Sequence, residues 1–191
     1  DGMVSRSAPQ PRTYNMLNKI LCAIDGSDHA EKAVEWAAGL AARFDAELVF
    51  LFVTPHRLAP PELRRMAENE SLVKPSAPAE PPVPPQPGLP SSSLSEELSQ
   101  RAASSATIYA QLGMHLVAGA RSQAENAGAA KVATRVEEGD PAHRIVEVAS
   151  QEGVDLIVMG RRGLGDLKGL LLGSVTHKVA QAATCACLTV E

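Results

Sequence analysis

Asp155-Leu156-Ile157-Val158-Met159-Gly160-Arg161-Arg162-Gly163 is the stretch that decides the fold. One acidic residue opens a short apolar run of the kind buried on both faces of a parallel sheet, and the run ends in a glycine turn. After Gly163 come nine residues, then Gly173 and Ser174, and a helical pattern follows to about residue 183. Glycine lets the backbone come close to a ligand, and a new helix offers unpaired N–H groups at its positive end. Strand, glycine turn and helix start together predict an anion site suited to phosphate. The spacing is neither the dinucleotide fingerprint nor the P-loop, since no Gly-Lys-Ser/Thr follows.

The same rhythm runs outward from this stretch. Residues 20–24 are apolar and stop at Asp25-Gly26, which predicts a buried strand and a turn. A helix follows, capped by Ser27 or Asp28, with Glu31 in its first turn and Ala30, Val34, Ala37, Ala41 and Phe44 inward. Residues 48–53 read as a second buried strand and residues 131–136 as a weaker one. Asp140 and Pro141 suit the cap and first position of a helix to Gln151, with Ile145, Val146 and Ala149 inward. Residues 154–159 and 185–190 give the last two strands. Strands alternating with helices predict an α/β fold: a doubly wound, mostly parallel five-stranded sheet, Rossmann-like, with helices on both faces. Ligands of such sheets sit beyond the carboxyl ends of the strands where the winding reverses, and Asp25 and Gly160 both fall at such ends.

Composition narrows the function classes. Of 191 residues 45% are hydrophobic but only 3% aromatic, so Val, Ile, Leu and Ala must build the core. A net charge of −4 and few aromatics argue against nucleic acid, which needs a basic stripe or stacking platform. No apolar run reaches the ~20 residues of a membrane span, and no signal peptide is visible. Asp1-Gly2 ahead of Met3 reads as a vector-derived scar. Cys185 and Cys187, two apart in an extended strand, share a face at roughly 6.5–7 Å, at or beyond disulfide reach. A Cys-x-Cys metal pair would need partner ligands at matching spacing, and none stands out. With Cys22 they read as reduced thiols, and the expected location is cytoplasmic.

A single domain over residues 15–191 is expected, behind a flexible tail at 1–14. Residues 55–92 form a proline-rich insertion that holds 11 of the 14 prolines. Residues 61–70 suit a short helix. Pro75, Pro78, Pro81, Pro84, Pro87 and Pro90 recur at every third residue, the period of a polyproline II rod. Such a rod is either a low-complexity insertion or a docking ligand for a protein partner. Ser93-Leu94-Ser95-Glu96 then reads as a capping box opening a long helix to about Ala127. Leu94, Leu98, Ala102, Leu112 and Leu116 suit one face of it, Gly113 and Gly119 are potential breaks, and Gly128 is a natural stop.

Read locally, Asp25 either caps its turn or presents a carboxylate to magnesium on bound phosphates. Val53 is either plain core or a place where backbone reads an adenine edge. Gly160, Gly163, Gly173 and Ser174, with the N–H groups of Val175 and Thr176, suit phosphate. At this point the Gly-x2-Gly-x9-Gly-Ser spacing closely resembles the signature of the universal stress protein family, in its ATP-binding branch. Residues 155–160 and 170–175 repeat the family's usual wording, and the resemblance covers residues 18–53 and 131–191, with the long helix a looser match. It implies adenine and ribose contacts near Ala23, Ile24, Val53 and Met159. Phosphate contacts are implied at Gly160, Gly163, Gly173, Ser174, Val175 and Thr176, with Asp25 near the metal or ribose. It also implies a homodimer paired through the last strand. Where family members commonly have Cys-Pro-Val, this chain has Cys185-Ala186-Cys187, so Ala186 keeps an N–H with which the strand edge can pair further.

These readings lead to an ATP-binding (or ADP- or AMP-binding) dimer that senses stress or energy status, using Mg and having little or no catalysis. Two alternatives stay open: an adaptor working through the proline-rich segment, and a slow ATP hydrolase. Arg161 and Arg162 bring charge to the turn, but His143 and His177 have no spacing that commits them as bases.

Overall fold

The computed structural model describes residues 16–54, 92–164 and 172–191. The expected tail and nearly all of the proline-rich insertion, including the short helix at 61–70 and the proline rod, lie outside the described residues. Among the described residues nine elements follow in order: β1 (Lys19–Ile24), α1 (Asp28–Phe44), β2 (Glu47–Thr54), α2 (Ser92–Asn126), β3 (Val132–Glu138), α3 (Pro141–Glu152), β4 (Leu156–Gly160), α4 (Ser174–Ala182) and β5 (Ala186–Val190). The strands form one parallel sheet in the order β3-β2-β1-β4-β5. This is the doubly wound architecture expected from the alternating pattern, and its winding reverses between β1 and β4.

Alternation along each strand sorts the core into two layers. Ile20, Cys22, Ile24, Leu48, Phe50, Phe52 and Val158 pack with α1 and α2 on one face. Leu21, Val49, Leu51, Val53, Ile157 and Met159 pack with α3 and α4 on the other. Each large side chain so buried is worth roughly 1.5–3 kcal/mol, so ten or more of them supply the main driving force. The alanine face of α1 (Ala30, Ala33, Ala37, Ala38 and Ala41, all buried) brings that helix close to β1 and β4. Phe44, expected inward, is 40% exposed. It is the last helical residue, and the chain turns away at once through Asp45, which adopts a left-handed φ of 54°.

Local chemistry sets the helix ends. Ser27 caps α1 by accepting from Ala30 N, and Asp140 caps α3 by accepting from His143 N, with Pro141 next in line. Both satisfy N–H groups that the helix itself cannot. The long helix α2 runs through Gly113 and Gly119 without a break. Gly113 is a packing residue: a Cβ there would lie 2.5 Å from Phe52 Cδ1, so its bare backbone receives the ring of β2. Gly128, with φ of 95°, turns the chain after α2, as expected.

Candidate functional site

Three chain segments meet at the carboxyl edge of the sheet, where β1 and β4 diverge. After β1, Asp25 makes an Asx turn: its Oδ1 accepts from Ser27 N at 3.0 Å and from Ser27 Oγ at 2.6 Å. After β4, the turn at 161–164 folds back onto it, and Leu164 N donates to Asp25 Oδ2 at 3.2 Å. Ser27 Oγ also lies 3.3 Å from the Arg162 carbonyl. The third segment is the start of α4. Gly173 N donates to Arg161 O at 2.9 Å, and Thr176 Oγ1 donates to Gly160 O at 2.9 Å in a buried bond.

Each glycine of the motif has a steric reason. A Cβ on Gly160 would sit 2.8 Å from the His29 backbone, so only glycine lets β4 end against the start of α1. A Cβ on Gly163 would sit 2.3 Å from Asp25 Oδ2. At Gly173 it would sit 3.3 Å from Arg162 Cα and 3.4 Å from Arg161 O, tight but not overlapping. Gly173 caps α4 with no side-chain hydrogen bond, and the first backbone bond into the helix runs from His177 N to Gly173 O. The N–H groups of Ser174, Val175 and Thr176 therefore form the helix's open positive end. The start of α1 abuts the same turn from the other side at Gly160. Two helix N-termini thus converge on residues 160–163.

The structure brings Asp25, Gly160, Gly163, Gly173, Ser174, Val175 and Thr176 together, and it divides the remaining expected residues. Val53 and Met159 are buried in the layer beneath α3 and α4, with Ala23 packed against it. The side chain of Ile24 is on the opposite face, where it borders a cleft of about 410 Å³ between α1 and α2. The Thr176 hydroxyl is spent on Gly160, leaving its N–H as the group available to an anion. Pairing of β1 with β2 stops at Ile24 and Phe52, so beyond Phe52 the β1-facing side of β2 has no strand neighbour. Val53 and Gly160 flank the crevice two strand spacings apart, roughly 10 Å.

Ser27 is the member whose full role sequence reasoning missed. Asp-Gly-Ser signalled a turn and a cap, but not the reach to Arg162, a contact 135 residues away. Arg161 pairs with Glu191, which holds that guanidinium against the end of β5. Both Asp25 oxygens accept hydrogen bonds, and among the described residues no three His, Cys, Asp or Glu side chains are grouped to hold a metal. A lone carboxylate with both oxygens already engaged does not make a protein cage for a metal, so any cation here would have to bring most of its ligands with it. The three cysteines are free; burial pushes the Cys22, Cys185 and Cys187 thiols up, so they remain protonated at neutral pH. No helix among the described residues is long and apolar enough to cross a membrane.

Fold and site define a doubly wound α/β protein whose glycine turns and helix starts meet at the topological switch point. The chain belongs to the universal stress protein family, whose profile matches residues 16–191. Universal stress protein YxiE of Bacillus subtilis is 33% identical over 176 residues, covering 92% of this chain and 100% of that protein. Universal stress protein MJ0531 of Methanocaldococcus jannaschii is 30% identical, covering 93% of this chain and 84% of that one. Among solved structures, protein MJ0577, from the same archaeon, superposes with a TM-score of 0.55 at 27% identity, covering 92% of this chain and 96% of that one. A universal stress protein solved in complex with cAMP shares the fold, with a TM-score of 0.56 at 24% identity and coverage of 92% and 98%.

Proposed function

We propose that this chain binds an adenine nucleotide, ATP foremost, at the β1–β4 crevice and acts as a nucleotide-dependent regulator with little or no catalysis. The observation that carries this reading is the convergence of the α1 and α4 N-termini on a turn whose glycines leave no room for side chains. Phosphates would lie against Gly160, Gly163 and Gly173 and accept from the N–H groups of Ser174, Val175 and Thr176. The Arg161 N–H is not available, since it donates to Val190 O. Adenine and ribose would lie along the carboxyl ends of β1, β2 and β4, against Ala23, Val53 and Met159. Asp25 would accept from the ribose or from water on a magnesium ion that enters with the phosphates. The cAMP complex belongs to another protein with this fold; support for this chain comes from its own turns.

Regulation would work by linkage: nucleotide favours one arrangement of the turn, and a partner reads that arrangement. A second copy would pair along β5, which is the sheet's edge. The Ala186 N–H, expected to serve that pairing, instead donates to Asp155 O at 3.2 Å within the chain, so other edge groups of β5 would have to carry it. A cytoplasmic setting suits the three free thiols.

Titration calorimetry with ATP and magnesium, on protein stripped of nucleotide, tests the reading. One site per chain is expected, with binding abolished by Gly173→Asp, which fills the approach space and sets like charge against phosphate. Absence of binding to folded wild-type protein would remove the proposal, and unchanged affinity in Gly173→Asp would move the site elsewhere.

A further inference from the structure

Ser27 has one hydroxyl proton and two acceptors, one on each side of the crevice. Asp25 Oδ1 lies 2.6 Å from Oγ on the β1 side, and the Arg162 carbonyl lies 3.3 Å away on the β4 side. The proton can serve only one at a time, and the shorter contact to a carboxylate is the stronger. The same oxygen accepts from Ala30 N at 3.3 Å, so it also fixes the first turn of α1. Ser27 is only 8% exposed, and water is therefore a poor substitute for any of these partners.

We propose that Ser27 is a positioning residue that links occupancy of the crevice to α1, an inference that rests on the nucleotide reading above. Asp25 Oδ1 already accepts twice, from Ser27 N and Ser27 Oγ, so a ribose hydroxyl or a metal-bound water that donates to this oxygen displaces the Ser27 hydroxyl. The Ser27 proton then turns to the Arg162 carbonyl and draws the turn at 161–164 toward the α1 N-terminus. The adjacent Ala30, Glu31, Val34 and Glu35 line the 410 Å³ cleft between α1 and α2. A shift of that first turn therefore reaches a surface on the face of the sheet opposite Val53 and Met159.

The test separates positioning from mere capping. Ser27→Ala removes the hydroxyl, and Asp140→Ala removes the equivalent cap on α3, where Asp140 Oδ1 accepts from His143 N at 3.0 Å. Both variants lose a helix cap of similar worth, so they are compared with wild type and Ser27→Thr for ATP affinity and for hydrogen exchange at Ala30 and Glu31. The expected result is about tenfold weaker binding in Ser27→Ala, the scale of a lost hydrogen bond to a charged group, with wild-type affinity in Asp140→Ala and recovery in Ser27→Thr. ATP should slow exchange at Ala30 and Glu31 in wild type and leave it unchanged in Ser27→Ala. Equal affinities in Ser27→Ala and Asp140→Ala would overturn the positioning role. No binding to wild-type protein would instead overturn the nucleotide reading.

Discussion

Gly163 passes Asp25 so closely that a Cβ on it would lie 2.3 Å from Oδ2, the oxygen that accepts the next amide, Leu164 N, at 3.2 Å. The carboxylate and the turn are thus fitted to each other, and the absence of a side chain at Gly163 is what makes the fit. Gly163→Ala forces either Asp25 or the turn to move, because the obstacle is an anchored carboxylate with Ser27 on its other oxygen. The expected outcome is a loss of ATP affinity of about tenfold or more, equal to about 1.4 kcal/mol. Little change in unfolding free energy is expected, since the turn lies at the edge of the core. Calorimetry and urea unfolding on the same preparation check it, and wild-type affinity would mean that the Asp25 contact is irrelevant to the ligand.

Two helical glycines should respond in opposite directions. Gly113 receives the Phe52 ring, with Cδ1 at 2.5 Å and Cε1 at 2.9 Å from a built Cβ, and Phe52 is 2% exposed, so the ring has nowhere to go. Gly113→Ala gains helix propensity of up to about 1 kcal/mol but overpacks the core by about 1–3 kcal/mol. A net destabilisation of about 1 kcal/mol is expected. In α1, Gly39 has nothing within 4 Å of its built Cβ, and Gly39→Ala should stabilise by about 0.5–1 kcal/mol. Urea midpoints at constant m-value decide both, and a stabilised Gly113→Ala would contradict the packing.

That pair also marks how far sequence could be read. The apolar runs at β1, β2, β4 and β5 and the Asp140-Pro141 start were legible because burial, strand period and capping are local properties. The glycine turns were legible as places of close backbone approach for the same reason. Gly113 was not, because a helical glycine reads as a potential break until the partner ring, 61 residues earlier in the chain, is known. The Ser27 contact with Arg162 was hidden likewise: turn chemistry named the cap, but only the β1–β4 pairing brings residues 27 and 162 together. The resemblance implied adenine and ribose contacts near both Ile24 and Val53, and strand alternation with the register Ile24↔Phe52 sends their side chains to opposite faces.

Acid sensitivity should originate at the amino edge of the sheet, away from the crevice. Asp155 Oδ2 accepts from Asn18 N at 2.7 Å and Lys19 N at 3.0 Å, and these bonds hold its carboxyl below the usual range. Glu152 is held down likewise by a hydrogen bond from Lys19, with Arg135 adding charge, and Lys19 is raised in turn. A depressed acid contributes stability that is present above its unfolded pKa, about 4, and lost as pH falls through the lower folded value. The raised Lys19 contributes fully below its unfolded pKa, about 10.4, and this is lost as pH climbs through the folded one. Stability from these groups should therefore be flat across neutral pH and decline below about pH 4. Asp155→Asn removes the charge that the two strand-start amides favour. It should lower stability at pH 7 and flatten the acid decline, because one of the groups that titrates there is gone. Urea unfolding at a series of pH values compares the two proteins. An acid limb of unchanged slope in Asp155→Asn would show that the tie between Asp155 and the start of β1 contributes nothing to folding.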